Sequence, residues 1–346
     1  MNMNHCVMNR IACALMLALA CSTAMYGRDF DEREVVVVAD DGVAMGATLT
    51  IPDASAKPKA AIVLATGSGV QNRDEEIMGK KPFKTLAEYL SAAGYVVLRA
   101  DDRGFANAAD AVGATIDTDA ADVAAAVALV DSIYPSLPVG IIGHSSGGTS
   151  AVRNATGHNK AVDFIVTLAG PAWSGDSIIM SQSRAIAMAA MGRWDAESLQ
   201  RKLLSLAKSE LPDASARISL TMAFNEHLGD AAKLPNVQES LQKQISALLS
   251  PWYRSMLRYD PAVDIASVGM PWLAINGSKD SQVLPGNLDT IKALNPSADV
   301  VLMDGHNHLF QKCQTGSVQE YSTLPGDISA ETLKVISDWL DKAVAR

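Results

Sequence analysis

Short apolar runs recur along the chain, separated by stretches of helical spacing and by Gly/Pro turns. Val35–Val38, Met45–Ile51, Ala60–Ala65, Val96–Arg99, Val139–Ile142, Phe164–Leu168, Trp272–Ile275 and Val300–Met303 read as strands. The later runs are continuously apolar rather than alternating, which is the pattern of strands covered on both faces, as in a parallel sheet. Asp40-Asp41-Gly42 between the first two is a hairpin turn signal. Helical patterns fall between the later strands. Pro82–Ala93 stops at Gly94, a C-cap residue. Asp119–Ile133 is Ala-rich with Thr118 as its expected N-cap, and Asn287–Leu294 and Ala330–Val344 complete the set. The alternation predicts a doubly wound, mostly parallel eight-stranded sheet flanked by helices and entered by an antiparallel hairpin.

One region breaks the rhythm. From about 175 to 250 no strand pattern occurs, and the spacing predicts a helical insertion over the C-terminal edge of the sheet. Its methionines, Met180, Met188, Met191 and Met222, suit either an internal core or the wall of an apolar pocket. No internal repeat or low-complexity linker separates this insertion from the rest.

The N-terminal two dozen residues differ from everything after them. Arg10 precedes Ile11–Ala20, an unbroken apolar run too short to span a bilayer, and Ala18-Leu19-Ala20 fits a small-x-small cleavage site. Residues 1–24 are therefore expected to be a signal peptide, with residues 30–346 as the working domain in a periplasmic or secreted protein. Cys21 follows the cleavage site as in a bacterial lipoprotein, so a lipid on Cys21 is the one route to a membrane. Loss of the leader leaves Cys313 alone or nearly so, which removes an internal disulfide framework, and no His/Cys cluster has zinc spacing.

The 346 residues carry 29 Lys and Arg against 38 Asp and Glu, a net charge of −9. With no basic cluster, nucleic acid is excluded as an expected partner. The 48% hydrophobic content excludes a disordered chain.

The chemistry sits where a strand meets a helix. Val139–Ile142 runs into Gly143-His144-Ser145-Ser146-Gly147, followed by a helical stretch. This strand, G-x-S-x-G, helix order is a nucleophile elbow, in which glycines leave room for a tight, strained turn at the serine. Ser145 is the expected nucleophile. His144 is expected to point away from the site. A serine hydroxyl needs a general base, and the chain order for such an elbow is nucleophile, acid, base. Asp304-Gly305-His306-Asn307-His308 follows the last strand, so His306 and His308 compete for the base. Asp280, on the loop after Trp272–Ile275, is positioned to orient the base, and Asp304 is the second candidate acid. Two preset N–H donors must face the developing oxyanion. One is expected from Ser146 and the other from Thr66-Gly67-Ser68-Gly69-Val70, with Ser68 as the first choice. The Walker spacing is absent from that Gly-rich loop, which argues against nucleotide binding.

Several segments together resemble bacterial α/β-hydrolase-fold serine esterases, a group related to prolyl-oligopeptidase-like and acetyl-esterase-like hydrolases. They are Gly67-Ser68-Gly69 with Arg73-Asp74-Glu75, Leu98-Arg99 with Asp101-Asp102-Arg103-Gly104, Gly143–Gly148, Leu168–Pro171, and Asn307-His308-Leu309-Phe310-Gln311. The resemblance implies an α/β-hydrolase fold with a helical cap insertion. It selects His308 as the base over His306, with Asp280 as the acid and Ser145 as the nucleophile. It implies that Arg73, Asp101 and Arg103 form one ion-pair network bracing the oxyanion loop. The chain departs from the pattern at Thr66, Val70, Asn72 and Phe105–Ala108, which bears on the pocket rim but removes no reacting group. The implied activity is cleavage of a small-molecule carboxylic ester through an acyl-enzyme, with no metal or organic cofactor. Two other readings use the same sequence: a small peptidase or acyltransferase with the same residues, and an exported binding protein that has kept only the fold.

Overall fold

The computed structural model describes residues 30–53, 57–157 and 161–345. The expected signal peptide and Cys21 lie outside the described residues. All eight expected strands form, and most extend a residue or more beyond their apolar runs. They are β1 Phe30–Val38, β2 Ala44–Pro52, β3 Ala61–Ala65, β4 Val96–Ala100, β5 Val139–His144, β6 Phe164–Leu168, β7 Trp272–Gly277 and β8 Asp299–Met303. They make one sheet in the order β1-β2-β4-β3-β5-β6-β7-β8. The pairings β1/β2 and β2/β4 are antiparallel, and every pairing from β4/β3 to β7/β8 is parallel. The opening hairpin turns where expected. Gly42 takes φ +87°, which only glycine adopts without strain, and its N–H donates to Ala39 O at 2.9 Å.

The helices are α1 Pro82–Ala92, α2 Ile116–Ile133, α3 Ser146–Thr156, α4 Gly175–Met191, α5 Glu197–Lys208, α6 Asp213–Leu228, α7 Pro235–Leu248, α8 Pro251–Arg258, α9 Ala262–Ser267, α10 Gly286–Leu294 and α11 Ala330–Ala343. Helix α2 starts earlier than its pattern suggested. Its N-cap is Thr115, not Thr118. The two threonines form a reciprocal box in which Thr118 N–H donates to Thr115 Oγ1 and Thr115 N–H to Thr118 Oγ1.

The central strands β3 to β7 are buried on both faces, and the sheet divides the core in two. One half packs β-strand side chains against α2, α3 and α10 through residues such as Val127, Ala151 and Ile291. The other packs them against α1 and α11 through Phe83, Leu86, Leu90, Ile336 and Leu340. Such double coverage leaves water access mainly at the strand ends, and the C-terminal ends of the parallel strands carry the loops that matter here.

Residues 175–249 are helical, as the spacing implied. Helices α5, α6 and α7 enclose a small core of their own around Leu203, Leu220, Phe224, Leu241 and Ile245. The methionines fill neither expected role as a group. Met180 and Met188 line a cavity between α4 and α5, while Met191 and Met222 are 65% exposed. Helix α6 turns Ala216, Leu220, Ala223 and Phe224 inward, which leaves Met222 on the outer side of the same helix.

Candidate active site

Strand β5 ends at His144, and Ser145 turns the chain into α3 with φ 52° and ψ −122°. That backbone region is strained for a residue with a Cβ and persists only where its surroundings fix it. Here the Ser145 N–H donates to Leu168 O at the end of β6, 2.8 Å away. Both elbow glycines are forced. A Cβ on Gly143 would stand 2.1 Å from Gly147 O, and one on Gly147 would stand 2.1 Å from Ala65 O. Ser145 opens onto a cavity of ≈ 150 Å³ that is also lined by Ser68, Ser146, Trp173, Trp252 and Tyr253.

The loops after β7 and β8 bring an acid to a base. Asp280 Oδ2 lies 2.7 Å from His308 Nδ1, and both side chains are buried. Asp280 Oδ1 accepts the N–H groups of Gln282 (2.8 Å) and Val283 (2.9 Å), so the carboxylate is held as its own loop turns. Gln282 and Val283 line the cavity that Ser145 opens onto. The His308 loop is tied across its base. Asn307 Oδ1 accepts the Gln311 N–H (2.9 Å), Asn307 Nδ2 donates to Gln311 Oε1 (3.1 Å), and Phe310 takes φ 59°. The two competing candidates are engaged elsewhere. His306 is fully buried between Asp304 O and Ser329 Oγ, each at 2.8 Å. Asp304 accepts from the Ser278 hydroxyl at 3.2 Å.

Glu75, which sequence reasoning quoted but gave no role, is at the centre of the arrangement. It is 1% exposed, with a left-handed φ of 51°. Its Oε1 accepts the Gly67 N–H at 2.7 Å and lies 2.8 Å from His144 Nδ1. His144 does turn away from the cavity, and its Nε2 lies 2.9 Å from the backbone oxygen of His308. One carboxylate and one imidazole thus join the Gly-rich loop to the loop that carries His308. Burial drives the His144 pKa down, but the charge and hydrogen bond of Glu75 override it, and the net shift is upward. With Gly67 N–H engaged by Glu75, the neighbouring Ser68 N–H and the Ser146 N–H at the start of α3 have no acceptor among the described residues.

The expected ion-pair network divides into two. Arg73 is bidentate on Asp101, with Nε to Oδ1 at 3.1 Å and Nη2 to Oδ2 at 2.7 Å, and it also reaches Glu34 on β1. Arg103 does not join them. It forks onto Asp122 of α2 at 2.6 Å through both Nε and Nη2, and reaches Asp41 of the opening hairpin at 2.8 Å. Asp101 and Arg103 are near in sequence, but the loop after β4 sends one toward the β1/β2 hairpin strands and the other toward α2. The brace on the Gly-rich loop itself comes from Asp102. It accepts the Thr66 hydroxyl (2.5 Å) and the Gln71 N–H (2.8 Å), one at each end of residues 67–70. Burial pushes its pKa up to about 7 against the lowering effect of those two bonds.

Helix α4 of the insertion touches the site through polar contacts. Gln182 donates to Gln282 (3.2 Å), and Gln282 donates to the Tyr321 hydroxyl (2.9 Å). Among the described residues no group of three or more His, Cys, Asp or Glu could hold a metal, and no helix is long and apolar enough to cross a membrane. Cys313 is half-buried, its thiol pushed up by burial and pointed at Gly305 O (3.5 Å), away from the cavity.

Residues 41–309 match the X-Pro dipeptidyl-peptidase (S15) family. Esterase EstD of Thermotoga maritima is 24% identical over 317 residues, which span 90% of this chain and 68% of that protein. The Pyrococcus furiosus esterase Pf2001 superposes with a TM-score of 0.55 at 17% identity, over 91% of this chain and 92% of that one. A highly thermostable carboxyl esterase from Bacillus coagulans gives a TM-score of 0.57 at 16% identity, over 90% and 99%. At these identities the superpositions show a shared fold, the α/β-hydrolase fold expected from the motifs.

Proposed function

This chain belongs to the S15 family of X-Pro dipeptidyl-peptidases, and from that premise we propose that it is a serine hydrolase of carboxylic esters. The observation that carries the reading is the convergence of three loops at one edge of the parallel sheet. A strained serine stands on the cavity after β5, and a carboxylate 2.7 Å from a buried imidazole bridges the loops after β7 and β8. The names of the esterases similar to this chain support ester over amide cleavage.

In this mechanism the Ser145 Oγ attacks the acyl carbon and His308 takes its proton. Asp280, on His308 Nδ1, fixes the tautomer that leaves Nε2 free as the base and stabilises the imidazolium that forms. The Ser68 and Ser146 N–H groups meet the oxyanion, aided by the positive end of α3. His308 returns the proton to the departing alcohol. It then takes one from water, whose oxygen attacks the acyl-enzyme, and passes that proton to Ser145 Oγ as the acyl–oxygen bond breaks, which releases the acid and restores both residues. Glu75 and Asp102 hold the Gly-rich loop for that step. Export, as read from the N-terminal segment, is part of the same proposal.

The test is labelling with a fluorophosphonate, read by mass spectrometry on the parent protein and Ser145→Ala. An adduct on Ser145 that disappears in the variant, with turnover of 4-nitrophenyl acetate, is the expected result. A folded protein that takes no adduct would overturn the reading in favour of a fold kept for binding. The family description favours a second reading, a small peptidase with the same residues, and faster turnover of X-Pro 4-nitroanilides than of esters would select it.

A further inference from the structure

The ≈ 150 Å³ cavity beside Ser145 is walled by Ile116, Ile178, Ile179, Met256 and four aromatic residues, Trp173, Trp252, Tyr253 and Tyr259. Among the described residues that line it, one carries a carboxylate, Asp119, and none is Lys, Arg or His. Asp119 sits in the first turn of α2, and its Oδ2 accepts the Trp252 indole N–H at 2.6 Å. Among the described residues no cation lies within ion-pair distance of it. The nearby Arg103 is committed to Asp122 and Asp41 instead. The mechanism above makes no use of Asp119.

We propose that Asp119, framed by Trp252 and Tyr253, makes this chamber a subsite for an alkylated ammonium group, so that the preferred esters carry a fixed positive charge close to the scissile bond. The inference rests on the hydrolase reading and names its substrate class. A carboxylate in an apolar, aromatic chamber is costly to desolvate, and a cation that enters repays that cost. Aromatic walls suit an alkylated ammonium in particular, because it sheds water easily and is attracted to ring faces. An anionic substrate would meet the opposite: a like charge and no donor side chain of Lys, Arg or His. Burial pushes the Asp119 pKa up to about 6, with Asp122 adding to the rise and the indole bond and Arg103 opposing it. An incoming cation favours the ionised form that burial resists.

The experiment compares acetylthiocholine with S-(3,3-dimethylbutyl) thioacetate, which replaces the ammonium nitrogen by carbon at nearly constant shape. The expected kcat/KM ratio favours the cation by about tenfold or more in the parent, as for a desolvated charge pair. In Asp119→Asn that ratio is expected to fall to near unity. A side chain that only anchored Trp252 would alter both substrates together and leave the ratio in place. Equal ratios in parent and variant would overturn the proposal, as would a parent with no preference for the cation. Tetramethylammonium chloride, titrated calorimetrically into the parent and Asp119→Asn, reads the subsite without turnover. Binding lost in the variant supports it even if neither thioester is cleaved, in which case the hydrolase reading fails alone. No binding to the parent overturns it even if Asp119→Asn does not fold.

Discussion

Replacing Glu75 by Gln tests whether one buried ion pair holds both the oxyanion loop and the base loop. The two nitrogens of His144 both face acceptors, Glu75 Oε1 at 2.8 Å and the His308 carbonyl at 2.9 Å. A neutral imidazole has one N–H, and the raised pKa of His144 favours the doubly protonated ring, which donates to both acceptors. The same Oε1 also accepts the Gly67 N–H. A glutamine amide oxygen at that point still serves Gly67 but brings no charge. His144 then either gives up its Nδ1 proton and turns a lone pair toward the amide oxygen, or stays cationic with its counter-charge gone. The first outcome costs about 1–3 kcal/mol for an unmet buried polar group. The second costs about 3–5 kcal/mol for a charge buried alone. The variant takes the cheaper outcome, so urea denaturation of Glu75→Gln at pH 6 is expected to show a loss of about 1–3 kcal/mol. Because the folded pKa of His144 is raised above its unfolded value near 6.5, the pair supports the fold fully below that value. The support fades as pH rises through the folded value, so the gap between parent and variant narrows in alkaline buffer. On a 4-nitrophenyl ester, kcat is expected to drop about 10–100-fold with KM little changed, a fraction of what removing an oxyanion donor outright costs. Stability within about 0.5 kcal/mol of the parent, with kcat within about twofold, would refute the reasoning.

Four further substitutions read other parts of the site. His308→Ala is expected to lower kcat/KM by about 10³-fold or more. His306→Ala, which empties a fully buried position and frees Ser329, is expected to lower the melting temperature while leaving kcat within a few-fold. Asp102→Asn keeps a neutral group at every pH. In the parent the fold favours protonated Asp102, so its contribution is lost as pH rises from about 4 to about 7. Relative to the parent, the variant should therefore gain on the order of 2–4 kcal/mol between pH 4 and pH 8, read by urea denaturation, at about 1.4 kcal/mol per pKa unit. A flat difference would show that Asp102 does not titrate there. Gly147→Ala places a methyl 2.1 Å from a backbone oxygen and is expected to give insoluble protein, or a loss beyond about 3 kcal/mol. Soluble expression with a parental melt would refute that.

What the sequence disclosed and what it withheld divide along a physical line. The central strands β3 to β7 were readable because a strand covered on both faces must be apolar throughout, a constraint that acts residue by residue. The elbow was readable for the same reason, since its glycines face backbone atoms within a few residues or on the adjacent strand. Partners far apart in the chain were less accessible. Glu75 lies 69 positions before His144, and nothing in its own segment announces that imidazole. Arg103 stands two residues from Asp101, yet it follows a different bend of the loop and meets Asp122 on α2 and Asp41 on the hairpin. Thr118 was read as the cap and Thr115 was passed over, because a reciprocal box engages both threonines and the helix starts one turn earlier. Asp119 looked like an ordinary acid in a first helical turn, and only the packing of α8 over α2 gives it an indole partner and a place on the cavity wall. Sequence proximity therefore predicted local geometry well and charge pairing poorly. The reason is that strand and turn preferences are settled by neighbours along the chain, whereas a buried charge takes whichever counter-charge the fold brings within about 3 Å.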